Sequence, residues 1–125
     1  MSGVTIVTIY HNPGCSNSRG ALAILRERGV APVIVEYLKS PLTADQLRAL
    51  AARLKATAGA AWPGVREGMM RTKDAAYAAL RLDGADDAAL FAALAAHPAL
   101  LGRPIVVSAK GAVLARPPER VGEIL

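Results

Sequence analysis

Residues 10–19, YHNPGCSNSR, separate two different sequence patterns. The stretch leading in, GVTIVTIY, is rich in Val, Ile and Thr, and predicts a buried strand over Val4–Tyr10 that stops at the turn chemistry of HNPG. The stretch leading out, SNSRGALAILRERG, places Leu22, Leu25 and small alanines on one helical face, with Gly29 in position to end the helix. Cys15 therefore stands where a strand-to-helix loop meets a helix N-terminus. PVIVEYL then reads as a second strand, and strand, helix and strand in close succession predict a right-handed βαβ unit with parallel strands.

The remainder of the chain follows the same rules. SPLTADQLRALAARLKATAG carries a capping box, Thr43 with Gln46 three positions on, ahead of Leu47, Leu50 and Leu54 on one helical face. From Trp62 to Leu101 the sequence is rich in Ala and Leu, lacks strand-like alternation and is broken at Gly84 and Pro98, which predicts two or three short helices. RPIVVSAKGAVLAR gives two short strands around SAKG, a hairpin, and PPERVGEIL a closing short helix whose first turn tolerates proline. The fold class expected is α/β: a four-stranded mixed sheet ordered βαβ … ββα, with a helical insertion over about 43–101 between the halves. One domain spanning residues 1–125 accommodates it.

Composition narrows the function. The chain of 125 residues is 53% apolar but only 4% aromatic, and its apolar content rests largely on alanine. No apolar run approaches the roughly 20 residues that span a bilayer, and no basic segment precedes the first apolar stretch, so a soluble, cytoplasmic protein without a membrane partner is expected. The formal charge is +5, carried mainly by scattered arginines with no basic run and no interleaved aromatics. That pattern argues against nucleic acid and for a small anionic substrate held by several converging arginines. A single cysteine excludes an internal disulfide and a two-thiol redox cycle within one chain, so any thiol chemistry must take its second sulfur from outside. The two histidines, His11 and His97, lack metal-ligand spacing, and no metal site is expected.

Thiol chemistry at Cys15 has an energetic requirement. With an ordinary pKa near 8.5 only about 3% of a thiol is ionised at pH 7, and the thiolate is the nucleophile. Making it about 90% thiolate takes roughly 3.4 kcal/mol, at 1.36 per pKa unit. A helix N-terminus supplies about 0.3–1 kcal/mol, and up to about 2 in favourable geometry. The candidate cations for the rest are His11, Arg19 and more distant arginines. Each candidate has a plainer alternative: a buried inert thiol for Cys15, a backbone-bonded loop histidine for His11, and a solvated surface charge for each arginine. His97, in AAHPALL, reads as a helix terminator that satisfies the last carbonyls.

These same residues carry a resemblance. IYHNPGCSNSR resembles the active-site motif of the glutaredoxin-dependent arsenate reductases, a family of thioredoxin-like fold. GMMRTKDAAY resembles the family segment bearing a substrate-binding arginine, here Arg71. HPALLGRPIVV resembles the segment with a second, Arg103, followed by a proline that is cis in this fold, Pro104. ARPPERVGEIL resembles the last block and implies a third arginine at Arg116. The blocks occur in family order over almost the whole chain, which ends after the final helix like the family's short reductase-like branch.

The resemblance implies Cys15 as the nucleophile and Arg71, Arg103 and Arg116 as a cradle for a tetrahedral oxyanion; His11, by its place beside the thiol, reads as a helper that orients or electrostatically supports the thiolate. Arginine suits this because its planar fork of donors stays charged. Ser18 reads either as a residue orienting the loop or as an ordinary first-turn serine, and Arg19 as a supporting cation or a surface charge. The implied reaction reduces arsenate to arsenite through a cysteine adduct, with glutathione as co-substrate, glutaredoxin as partner and no tightly bound cofactor. Two other readings remain: a glutathione-dependent thiol oxidoreductase without an oxyanion pocket, and a redox-sensing regulator that binds RNA polymerase. The CxxC switch common among such regulators is interrupted here, because Ser18 occupies the second position.

Overall fold

A computed structural model describes residues 6–125. The chain divides into two compact units, one made of the chain up to Glu36 together with Arg103–Leu125, the other of Tyr37–Gly102. No helix among the described residues is long and apolar enough to cross a membrane.

The first unit contains the sheet. Strand β1 (Thr8–Tyr10), helix α1 (Ser16–Glu27) and strand β2 (Val33–Val35) form the βαβ element, and β3 (Ile105–Ser108) with β4 (Gly111–Leu114) form the hairpin. The sheet order is β2-β1-β3-β4, with β1 parallel to β2 and antiparallel to β3, and β3 antiparallel to β4. It is the mixed four-stranded sheet expected. The first two strands are shorter in the sheet than their composition suggests. β1 covers Thr8–Tyr10 because its two neighbours register only with those residues; Val4 and Thr5 of the expected strand lie outside the described residues. β2 stops at Val35, and as an edge strand it leaves Val33 and Ile34 exposed.

Helix α1 ends as its sequence requires. Gly29 takes a positive φ of 78°, its N–H bonds the Arg26 carbonyl, and the Val30 N–H reaches back to Leu25, the paired bonds of a Schellman cap. The buried face of α1, Ala21, Leu22 and Leu25, meets Val7, Ile9, Val106, Val113, Val121 and Ile124 in one core. Each fully buried Leu or Ile there stabilises the fold by roughly 1.5–3 kcal/mol. The closing segment Pro118–Ile124 packs on α1 but is a 3₁₀ helix, its first bond running from Arg120 N–H to the Pro117 carbonyl.

The second unit is helical: α2 (Ala44–Ala58), α3 (Val65–Met69), α4 (Ala75–Ala79) and α5 (Asp87–Ala96), with 3₁₀ turns at Gly59–Ala61 and Pro98–Leu100. The Thr43–Gln46 capping box is formed in both directions, and Leu47, Leu50, Ala51 and Leu54 are buried. α2 packs against α5. Gly68 on α3 lies under the Trp62 ring, where a Cβ would stand 2.5 Å from a ring carbon. Arg66 donates to the Leu82 and Ala85 carbonyls and the Tyr77 hydroxyl donates to Asp83, tying α3 and α4 to the turn that follows.

Candidate active site

The loop between β1 and α1 is held by its own side chains. His11 continues from β1, its N–H bonded to the Val35 carbonyl at 2.8 Å. Asn12 follows, and its Oδ1 accepts the Gly14 N–H at 2.9 Å while its carbonyl accepts the Cys15 N–H at 3.0 Å. This Asx-type turn is what an Asn before Pro-Gly favours. Arg19 donates from Nη1 to the Pro13 carbonyl at 2.8 Å and so fastens the loop to the first turn of α1 from the solvent side.

Ser18 fastens the same loop from inside. It is fully buried, its Oγ accepts the Asn12 N–H at 3.0 Å and lies 2.5 Å from His11 Nδ1. His11 is itself only 6% exposed. Burial pushes the His11 pKa down, with the charges of Arg26 and Arg19 adding to that and Glu36 opposing it. The imidazole is therefore held toward its neutral form, bonded to Ser18.

Cys15 is the N-cap of α1, with extended backbone (φ −98°, ψ 125°) and a side chain that is 9% exposed. Burial pushes its pKa up. Hydrogen bonds from the Ser18 N–H, the Arg103 guanidinium and the Asn17 N–H, together with the Arg103 charge, outweigh burial and hold the thiol below its ordinary value. Two of these donors are first-turn N–H groups that no helical carbonyl can satisfy, and the third is a permanent cation. Anything that stabilises negative charge on sulfur in this way also suits an oxyanion beside it.

Arg103 reaches this site from the entrance to β3. Its peptide bond to Pro104 is cis, and a second cis bond, Arg116–Pro117, follows β4. Arg116 Nη1 donates to the Arg103 carbonyl at 3.1 Å, and the Ala115 N–H to the Pro104 carbonyl at 2.8 Å. The first unit thus brings together Cys15, His11, Ser18, Arg19, Arg103, Pro104 and Arg116. Arg71 belongs to the second unit, where its guanidinium pairs with Asp74 at 2.9 Å. Two contributors escaped the sequence reading. Asn12 was legible as the Asx of an Asn-Pro-Gly turn, and Asp74 as an N-cap ahead of AAYAA. Among the described residues no group of three or more His, Cys, Asp or Glu side chains is placed to hold a metal ion.

A mixed sheet with a βαβ front and ββ back, with the chain's one cysteine at the N-cap of the first helix, defines a thioredoxin-like protein. Residues 10–124 match the ArsC family. The chain is 45% identical to an arsenate reductase of Haemophilus influenzae over 121 residues, covering 95% of this chain and 98% of that protein. It is 41% identical to an arsenate reductase of Neisseria meningitidis serogroup A, covering 95% and 97%. The solved structure of an arsenate reductase from Vibrio cholerae superposes with a TM-score of 0.90 at 43% identity, covering 98% of this chain and 100% of that one. The chain belongs to the ArsC family.

Proposed function

We propose that this protein reduces arsenate to arsenite in the cytoplasm, with Cys15 as the nucleophile. The observation that carries the proposal is the Cys15 sulfur held toward thiolate by two helix N–H groups and the Arg103 guanidinium. The names of its relatives, at 45% and 41% identity over nearly full length, supply the substrate.

The thiolate attacks arsenic and displaces one arsenate oxygen, which leaves as water, forming a Cys15 sulfur–arsenic(V) adduct. Glutathione adds its thiol to the same arsenic with loss of a second water. A glutaredoxin thiol then attacks the glutathione sulfur. The mixed disulfide leaves, the electron pair of the arsenic–sulfur bond stays on arsenic, and arsenic falls from +5 to +3. Water cleaves the remaining bond, releasing arsenite and the free Cys15 thiol. With one cysteine in the chain, both reducing thiols come from outside, and no bound cofactor or metal enters the scheme.

Arg103 supplies charge at the sulfur and at the oxyanion, Arg116 braces the Arg103 carbonyl and adds a second guanidinium, and Arg71 supplies the third. His11 and Ser18 hold the loop in shape. The test is a coupled assay with glutathione, glutaredoxin, glutathione reductase and NADPH. Arsenate-dependent NADPH oxidation that Cys15→Ser abolishes is expected. NADPH consumption on disulfide substrates without arsenate would refute the arsenate reaction in favour of a general thiol oxidoreductase.

A further inference from the structure

We propose that Asp74 is a positioning residue for Arg71 in arsenate binding; the inference rests on the reduction proposed above. The backbone around Arg71 is fixed first. Met70 bridges Leu101, the Arg71 N–H bonds the Leu100 carbonyl at 2.8 Å, and the Gly102 N–H bonds the Met69 carbonyl at 2.8 Å. The side chain is fixed second. Asp74 is the N-cap of α4, its Oδ1 accepting the Ala76 N–H at 2.9 Å, so the carboxylate is immobilised by the helix it caps. Its other oxygen, Oδ2, accepts from Arg71 Nη1 at 2.9 Å, and the same Nη1 reaches the Ala99 carbonyl at 3.4 Å.

The pairing selects which edge of the guanidinium faces a ligand. Both contacts use Nη1, so the Nε–Nη2 edge, the fork that matches two oxygens of a tetrahedral oxyanion, remains for substrate. The side chains of Arg71 and Asp74 are only 34% and 23% exposed, so the pair is screened less than a surface ion pair. A carboxylate that serves two partners through separate oxygens is a device for holding an arginine in one rotamer before substrate arrives. Without it the ordering falls on the binding step.

The experiment compares wild type with Asp74→Asn and Asp74→Ser in the coupled assay. Asn and Ser both keep an N-cap acceptor, while Ser cannot reach Arg71. The arsenate KM is expected to rise about 3- to 10-fold in both, the spread set by ordering one rotamer-rich side chain, with kcat within about twofold and the glutathione KM unchanged. In an Arg71→Ala background, Asp74→Asn is expected to add nothing to the arsenate concentration that half-protects Cys15 from iodoacetamide. A role confined to capping α4 would lower thermal stability and act equally with or without Arg71. An arsenate KM unchanged in Asp74→Ser, or additive effects in the Arg71→Ala background, overturns the positioning role alone. An active-site protein that turns over no arsenate as wild type overturns the reduction and this inference with it.

Discussion

Removing the Arg103 guanidinium tests the electrostatics of Cys15 most directly. Burial raises the thiol pKa, and the net lowering depends on three donors, of which Arg103 is the only one that also brings a full charge. A hydrogen bond to a charged group is worth about 1.5–3 kcal/mol, so at 1.36 kcal/mol per unit its loss moves the titration up by about one to two units. Arg103→Ala is therefore expected to shift the midpoint of iodoacetamide alkylation upward by that amount. Arg103→Lys, which keeps a point charge but loses the planar fork, is expected to shift it less. The sole cysteine makes the signal unambiguous. The midpoint is the quantity to compare, because a thiolate of higher pKa is also the stronger nucleophile and the rate at one pH mixes the two effects. Arg103 is not a member of the hydrophobic cluster of the first unit, and its buried Nε has no hydrogen-bond partner to lose, so circular dichroism should show the sheet intact. A midpoint for Arg103→Ala within about 0.3 unit of wild type, equivalent to about 0.4 kcal/mol, would refute the assignment of Arg103 as the cation at the sulfur.

Two further outcomes follow from the packing. The His11 pKa is lowered in the folded state, so between that value and the ordinary 6.5 the unfolded chain binds more protons and stability rises with pH. His11→Gln should flatten the urea-unfolding free energy between pH 5 and 7.5, a range above that in which Glu123, held below its ordinary value by Arg120, contributes; an undiminished slope would show that another group carries it. Gly68→Ala should displace the Trp62 ring, red-shift the emission of the only tryptophan and cost about 1–3 kcal/mol in unfolding free energy. Unchanged emission and stability would mean that the ring swings away freely.

How much of this was legible beforehand varies with the range of the interaction. The α1 boundaries, the Gly29 stop, the Thr43–Gln46 box and the hairpin around SAKG depend on residues within a few positions of each other, and the structure follows them closely. The lengths of β1 and β2 depended on partners remote in sequence, and both came out shorter than Val/Ile-rich runs suggest. The closing helix became 3₁₀, with Pro117 and Pro118 at its start, where helix type is settled by packing on α1.

Sequence alone determined that a lone cysteine caps a helix after a strand and that the chain holds no second thiol to pair with it, because both follow from local chain chemistry and a count. Which cation meets the sulfur was decided by tertiary structure. His11 and Arg19 were nearer in the chain, yet burial keeps the histidine toward neutral on Ser18, Arg19 turns its guanidinium to the Pro13 carbonyl, and Arg103 arrives from 88 positions away through the β1–β3 pairing. Charge acts through space and dielectric, and only the folded chain sets either.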